Sequence, residues 1–389
     1  MWAAGAGLTV QDDGFDQRKG FSDWFKTKFK TIRLPPQETI FDYYLDMKTI
    51  KFEPWKNSPA FKSTSYDPNL MTMAETFVPV GETVAIVYWS ELLAASGHAV
   101  LLAGPGGTGK TRVAREVLAL LAADGHTKLA VKLSYLSTAA TTLPQLEEPL
   151  QKKGAGIFGM APGGKGRLVY FVDDLHLPCT DDSVQRLLRH HLDHGGWRDL
   201  ATLSRKTVED TQYIACVNVL APGGQVCSRL LRHFSIFAVN MPGSQSLLSM
   251  FACFLDGHLN FNGFNAELKS LSRNLVEASV LVHRDVCSTF RRTPANYLYE
   301  FGLQQLTQLF QGLLMSSSAG FAKADKFVCL WLHELERVYC DRLRHPKEKE
   351  RFASLCLAKL KSHVPAFDVQ VCSGRITTTT TTTTHHSDI

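Results

Sequence analysis

The chain has 389 residues, 44% hydrophobic and 20% charged, with a formal net charge of +5, enough for one large buried core and a smaller one. Its basic excess is too mild and too dispersed for a nucleic-acid surface, and no stretch approaches the ~20 apolar residues of a membrane span. Met1 to Gly20 lacks a signal-peptide core, and the nine cysteines, odd in number and without CxxC pairs or histidines at metal spacing, read as reduced thiols of the cytoplasm.

From the amino terminus, Met1 to Gly20 is polar and glycine-containing and predicts no fixed structure. Phe21 to Arg33 then interleaves Trp24, Phe25 and Phe29 with Lys26, Lys28, Lys30 and Arg33, a pattern shared by nucleic-acid or lipid patches and by linkers. Residues 1–38 are assigned as a disordered, basic linker. Thr83 to Ser96 predicts a helix with Val84, Val87, Tyr88 and Leu92 on one face. The apolar run Ala99 to Ala103 predicts a buried strand, and Arg112 to Ala123 an amphipathic helix.

Between them lies Gly104-Pro-Gly-Gly-Thr-Gly-Lys-Thr111. A triphosphate is compact and anionic, so its holder needs backbone N–H groups turned inward, which Gly104, Gly106, Gly107 and Gly109 permit by tolerating positive φ and close approach. Pro105 and Thr108 complete the turn. The following helix offers its unpaired N–H groups, Lys110 can reach the β and γ phosphates, and the Thr111 hydroxyl can ligate Mg²⁺. The spacing therefore predicts an ATP or ADP site with its Mg²⁺.

Gly154 to Gly166, rich in glycine and lysine, predicts a mobile loop. Residues 167 to 174 follow as an apolar run ending in two carboxylates. A parallel strand buried on both faces reads this way, and its carboxyl end opens toward the phosphates. Asp173 is assigned to Mg²⁺, and Asp174 to the position from which a carboxylate polarises an attacking water. The alternative for the pair is a solvated strand end. A third strand, Tyr213 to Val217, ends at Asn218, the candidate polar sensor of the γ-phosphate; an ordinary turn-forming Asn before Ala221 is the competing reading. Arg229 and Arg232 precede a fourth strand, Ser235 to Val239. They are candidate fingers for a neighbouring module's nucleotide, or else a basic helix end satisfying its own carbonyls.

Beyond Pro242, helical periodicity runs through Leu247 to Leu255, Leu268 to Arg284, Tyr297 to Leu314 and Lys326 to Arg344. The fold class is α/β: a P-loop parallel sheet flanked by helices over 39–245, with a helical lid over 246–365. Residues 366–389 contain eight consecutive threonines before His385 and His386. A threonine homopolymer builds no core, so this tail is expected to be disordered.

Loop, acidic strand, Asn sensor and arginine cluster in this order describe an AAA+ ATPase, and the surrounding words resemble a dynein heavy chain. Phe171-Val-Asp-Asp-Leu-His-Leu-Pro178 is similar to the family phrase FVDDLNMP, Leu192 to Trp197 to LDHGGW, and Arg229 to Phe234 to RFLRHF. Phe77-Val-Pro-Val80 resembles FVPT. Thr293-Pro294, Tyr297 and Phe310-Gln-Gly312 resemble TPxKxHYxFNLRDLSRVFQG. Leu330-Trp-Leu-His-Glu334, Arg337-Val338 and Asp341-Arg-Leu343 resemble RLWxHExxRVFxDRL, which closes the third AAA+ module.

The resemblance implies a nucleotide-binding AAA+ module that works among neighbouring modules or dynein-type subunits, on the cytoskeleton and in the axoneme of a cilium or flagellum. No direct microtubule, nucleic-acid or membrane contact is expected of this chain, which shows no sustained heptads. Two departures bear on chemistry. Asp174 stands where hydrolytic members carry Glu, and Gln304 where the lid carries an arginine, a charge that an amide does not replace. Binding is expected and hydrolysis by the chain alone weak or absent; a non-hydrolysing scaffold of the same origin is the alternative, and an unrelated P-loop remodeller a more distant one.

Overall fold

The computed structural model describes residues 5–8, 16–30, 32, 34–35, 38–46, 48–62, 64–160, 166–177, 182–199, 202–221, 226–321 and 323–364. The threonine tail, residues 161–165 of the expected loop and Pro222 to Gly224 lie outside them. The described residues fall into two compact units, one within Met1–Lys62 and Pro79–Met241, the other within Ser63–Val78 and Pro242–Ile389.

The first unit begins with helix α1, Gln17–Lys28, where the sequence predicts little structure. Asp16 Oδ1 caps it, accepting from Arg18 N at 2.9 Å and Lys19 N at 3.3 Å, and Phe21 packs on Phe41 at 6.0 Å. Four aromatics in nine residues hold this short helix despite its polar surroundings. The hairpin β1, Tyr43–Asp46, and β2, Lys51–Pro54, follows, and Trp55, 1% exposed, donates to Phe41 O at 3.0 Å. Then come α2, Gly81–Ala95, β3, Ala99–Gly104, α3, Lys110–Ala123, β4, Thr127–Val131, and α4, Ala139–Glu147. The helix α2 buries Val84, Ala85, Ile86 and Val87, whereas Tyr88 and Leu92 are exposed. That corrects the expected face, because Tyr88 turns outward and lays its ring on Trp55 at 5.4 Å.

The loop expected over Gly154 to Gly166 opens instead on a hairpin: β5, Gln151–Gly154, ends at its first residue and β6, Ile157–Gly159, lies within it. The backbone does this work: β6 pairs in parallel with β9, Arg205–Val208, so glycines and lysines become ladder residues. Between lie β7, Leu168–Val172, α5, Ser183–His194, and β8, Gly196–Arg198; after them come β10, Thr211–Asn218, α6, Ser228–Leu231, and β11, Phe234–Ala238. The central sheet has the order β11-β3-β10-β7-β4, every neighbour parallel. Every residue of β7 is buried, as expected of a parallel strand covered on both faces. One face packs Leu101, Tyr170, Val172 and Tyr213 against Leu143, Leu146, Val184 and Leu188 of α4 and α5. Helix α3 crosses β3, β4 and β10.

Beside this sheet the Leu192 to Trp197 phrase has a structural use. Trp197 Nε1 donates to Glu147 Oε1 at 2.7 Å, and Lys206 Nζ reaches the same carboxylate at 3.0 Å and Asp199 at 3.2 Å.

The second unit is helical: α7, Ser244–Phe261, α8, Ala266–Thr289, α9, Leu303–Leu314, α10, Ala324–Val338, and α11, Pro346–His363. The sequence starts α9 at Tyr297, but residues 297–302 are non-helical and Gln305 caps the helix, accepting from Gly302 N at 2.7 Å. The predicted helix to Arg344 ends at Val338, followed by a tight turn at Cys340–Arg342. Tyr66, far upstream, packs edge-on to Phe254 at 5.1 Å, and Cys253 Sγ donates to Thr64 O at 3.1 Å. Pairing across 189 residues leaves no local signal, so the sequence places Ser63–Val78 with the sheet.

Cys216, Cys227, Cys253, Cys287, Cys340 and Cys356 are free, but Cys329 is disulfide-bonded. Not all the cysteines are therefore reduced; linear spacing carries no information on which sulfurs the fold brings together. No helix among the described residues is long and apolar enough to cross a membrane.

Two of the buried histidines, one in each unit, have strongly lowered pKa values. His191 Nδ1 lies 2.6 Å from the Tyr213 hydroxyl and His283 Nδ1 2.9 Å from that of Tyr339. Burial pushes both imidazoles down to about 4, helped for His191 by the charge of His190. An unfolded histidine titrates near 6.5, so between these values the unfolded chain holds more protons and folded-state stability falls as pH drops. It is fully present above about pH 6.5 and lost through about pH 4. At pH 5 the expected loss is about 2 kcal/mol per histidine, read as a lower urea midpoint than at pH 7.5. His191→Gln and His283→Gln each flatten that slope; an unchanged slope in both refutes the assignment.

Candidate nucleotide-binding site

The carboxyl ends of β3, β7 and β10 converge on one edge of the sheet, where parallel strands present their loops. Asn218 stands opposite Gly104 in the β10–β3 ladder. The loop after β3 needs its glycines for specific reasons. Gly107 and Gly109 take φ of 75° and 88°, and Gly109 is the residue from which α3 starts. A methyl group on Gly104 would stand 2.2 Å from Val239 O, an impossible approach.

Lys110 is 7% exposed, and its Nζ donates to Gly104 O at 3.0 Å and to Pro105 O. Burial holds its pKa below the ordinary lysine value, opposed by Cys216, Asp174 and Asp173. The Thr108 hydroxyl donates to Pro105 O at 3.1 Å and ties the turn closed. Thr111 Oγ1 donates to Asp173 Oδ1 at 3.2 Å across 62 residues of sequence. Hydroxyl and carboxylate are hard oxygen donors that suit Mg²⁺, which keeps waters and takes phosphate oxygens for its remaining positions. A buried ammonium, the amino end of α3 and this oxygen pair fit a Mg·nucleotide.

Asp174 has φ of 51°, a left-handed conformation that Asp tolerates better than most residues. Its N–H donates to Asp173 Oδ1 at 3.2 Å, and its carbonyl accepts from Leu177 N at 2.9 Å. Asn218 joins the loop: a methyl group on Gly106 would stand 3.4 Å from Asn218 Nδ2. Its Oδ1 meanwhile accepts from Leu220 N at 3.1 Å, a turn-forming bond made beside the loop. Arg229 and Arg232 are both exposed. Arg232 also pairs with Asp193, an acid that His233 Nε2 approaches to 2.8 Å.

Two residues at this edge escape the motif reading. The Cys216 thiol is fully buried and pushed up by burial, with Asp173 the next cause and Lys110 opposing. His176 is 7% exposed, and its Nδ1 accepts from Asn218 N at 3.3 Å. Cys216 was findable, since it lies two residues before Asn218 and so on the same strand face.

Comparison with known proteins agrees with this geometry. Residues 65–242 match the P-loop containing dynein motor region, 275–372 an AAA+ lid domain, and 1–57 a dynein heavy chain AAA lid domain. The chain is 38% identical over 366 residues, 93% of its length, to dynein axonemal heavy chain 17 of Mus musculus. It is 35% identical over 373 residues, 95% of its length, to the dynein alpha chain of the flagellar outer arm of Chlamydomonas reinhardtii, and 34% identical over 380 residues, 96%, to the ciliary dynein beta chain of Heliocidaris crassispina. It spans 8% of the length of each of these relatives. With the sheet order, the loop geometry and these matches together, the chain belongs to the dynein heavy chain family.

Proposed function

We propose that the chain binds Mg·ATP or Mg·ADP through Gly104 to Thr111 and Asp173, and serves as a nucleotide-sensing AAA+ module, the third of a dynein-type assembly. The observation that carries this is the Thr111–Asp173 contact at 3.2 Å, which sets both magnesium donors beside the loop. Its neighbours are adjoining AAA+ modules or dynein-type subunits, reached through exposed Arg229 and Arg232, and its setting is the axonemal cytoskeleton of a cilium or flagellum. Titration with Mg·ATP, with and without excess chelator, tests it: binding that ignores Mg²⁺ refutes the metal role of Thr111 and Asp173.

Hydrolysis by this chain alone is expected to be very slow. Asp174 is one methylene shorter than Glu, and Gln304 is an exposed neutral amide in the first turn of α9. A finger acting from another module is worth about 10³ to 10⁵ in rate. Phosphate release by the purified protein should therefore stay close to that of Lys110→Ala; robust turnover that depends on Lys110 overturns the proposal. The same Asp174 and Gln304 favour a second reading, a scaffold that keeps nucleotide without turnover. Equal affinity for ATP and ADP supports the scaffold, and a preference for one supports sensing.

A further inference from the structure

The carboxyl-terminal half of α5 and the β8–β9 hairpin gather cations on one surface of the first unit. His190 and His194 lie one helical turn apart with ring centroids at 4.7 Å. Arg205 Nη2 donates to His194 O at 3.1 Å and Arg198 Nη1 to Leu203 O at 3.5 Å, which fixes both guanidinium groups from behind. Arg189 Nε is buried and makes no hydrogen bond, with Asp193 Oδ2 3.7 Å away.

The local acids are committed elsewhere. Asp193 is shared among Arg189, Arg232 and His233, and Asp199 among Thr202 and Lys206. The groups acting on His190 are His194, Arg198, Arg189 and Arg205, every one of which lowers its pKa. A divalent metal on the histidine pair is opposed by three guanidinium groups. A single phosphate would need donors around one point, whereas these are spread over a helix and a hairpin. Spaced carboxylates on an extended chain match that spread, each able to take a guanidinium fork.

We propose that this surface docks an acidic polypeptide segment, rich in Asp or Glu, of a partner protein. Burial first, and then His194 and the three guanidinium groups, hold His190 below the ordinary histidine range. Arriving carboxylates raise it again, so docking takes up a proton and strengthens as pH falls.

The test uses the full chain and a fluorescent oligoglutamate peptide, with oligoglutamine as control, read by anisotropy. The expected result is binding of oligoglutamate alone, weakening as salt rises from about 50 to about 200 mM and as pH rises from 6 to 8. Arg198→Gln with Arg205→Gln, at unchanged melting temperature, should weaken it about tenfold. If loss of the Arg205–His194 bond unfolds the hairpin, Arg198→Gln alone carries the test with a loss of about threefold. Unaltered affinity in the folded variant overturns the proposal, as does competition by inorganic phosphate as effective as that of unlabelled peptide, or equal binding of oligoglutamine.

Discussion

Lys110→Ala should lower the affinity for Mg·ATP by about tenfold to a hundredfold or more, equivalent to losing a charge-assisted contact of about 1.5–3 kcal/mol. The ammonium is 7% exposed and held by the carbonyls of Gly104 and Pro105. Burial works against its charge, and Asp173, Asp174 and Cys216 only partly offset it. Phosphate oxygens are the stronger partners for such a cation. The variant should not melt earlier without nucleotide, because it removes a buried charge of lowered pKa. What it should show is a smaller rise in melting temperature at an ATP concentration that saturates the parent. An intact rise in Lys110→Ala sinks the loop assignment.

Trp331→Ala should destabilise the helical unit by about 3–5 kcal/mol, the range for truncating a buried aromatic. Trp331 is fully buried, and its Nε1 donates to Ser279 Oγ at 2.8 Å, bridging α10 to α8. It belongs to the core that also contains Phe251, Phe310 and Phe327, so truncation leaves a cavity as well as a lost donor. Ser279 keeps its own bond to Leu275 O at 2.6 Å, so Trp331→Phe, which retains most of the volume, should lose less. Denaturant unfolding followed by helical circular dichroism measures both. A loss below about 1 kcal/mol for the alanine variant contradicts the packing described here.

The nucleotide site was legible because its parts obey local rules. Ala99 to Gly104 and Leu168 to Val172 read as unbroken apolar runs, since parallel strands are covered on both faces, and glycine at 104 and 109 answers close approach and positive φ. The hairpin Gln151 to Gly159 was not legible, for its stability lies in backbone pairing with Arg205 to Val208, which side-chain composition does not encode. That Tyr66 and Thr64 pack on Phe254 and Cys253 was not legible, because these partners are remote in sequence. The helix at Pro346 was overlooked because Lys347, Glu348, Lys349, Glu350 and Arg351 mask the three buried positions, Phe352, Cys356 and Leu360, that anchor it. Tyr88 and Leu92 show the opposite error, apolar residues at helical spacing that face outward. Arg232 could be nominated from sequence, but its pairing with Asp193 depends on how α5 meets α6.

The strand order β11-β3-β10-β7-β4 also bears on how the chain acquires its site. The strands bearing Lys110's loop and Asp173 are not neighbours; β10, the later-synthesised Thr211–Asn218, lies between them and pairs with both. A nascent chain that has emerged only as far as Asp210 holds every residue of the glycine-rich loop and Asp173, yet lacks the strand that seats them side by side. Insertion of a central parallel strand is a long-range, slow event. A nucleotide that binds at this edge would therefore meet loop and carboxylate side by side only once β10 is in place.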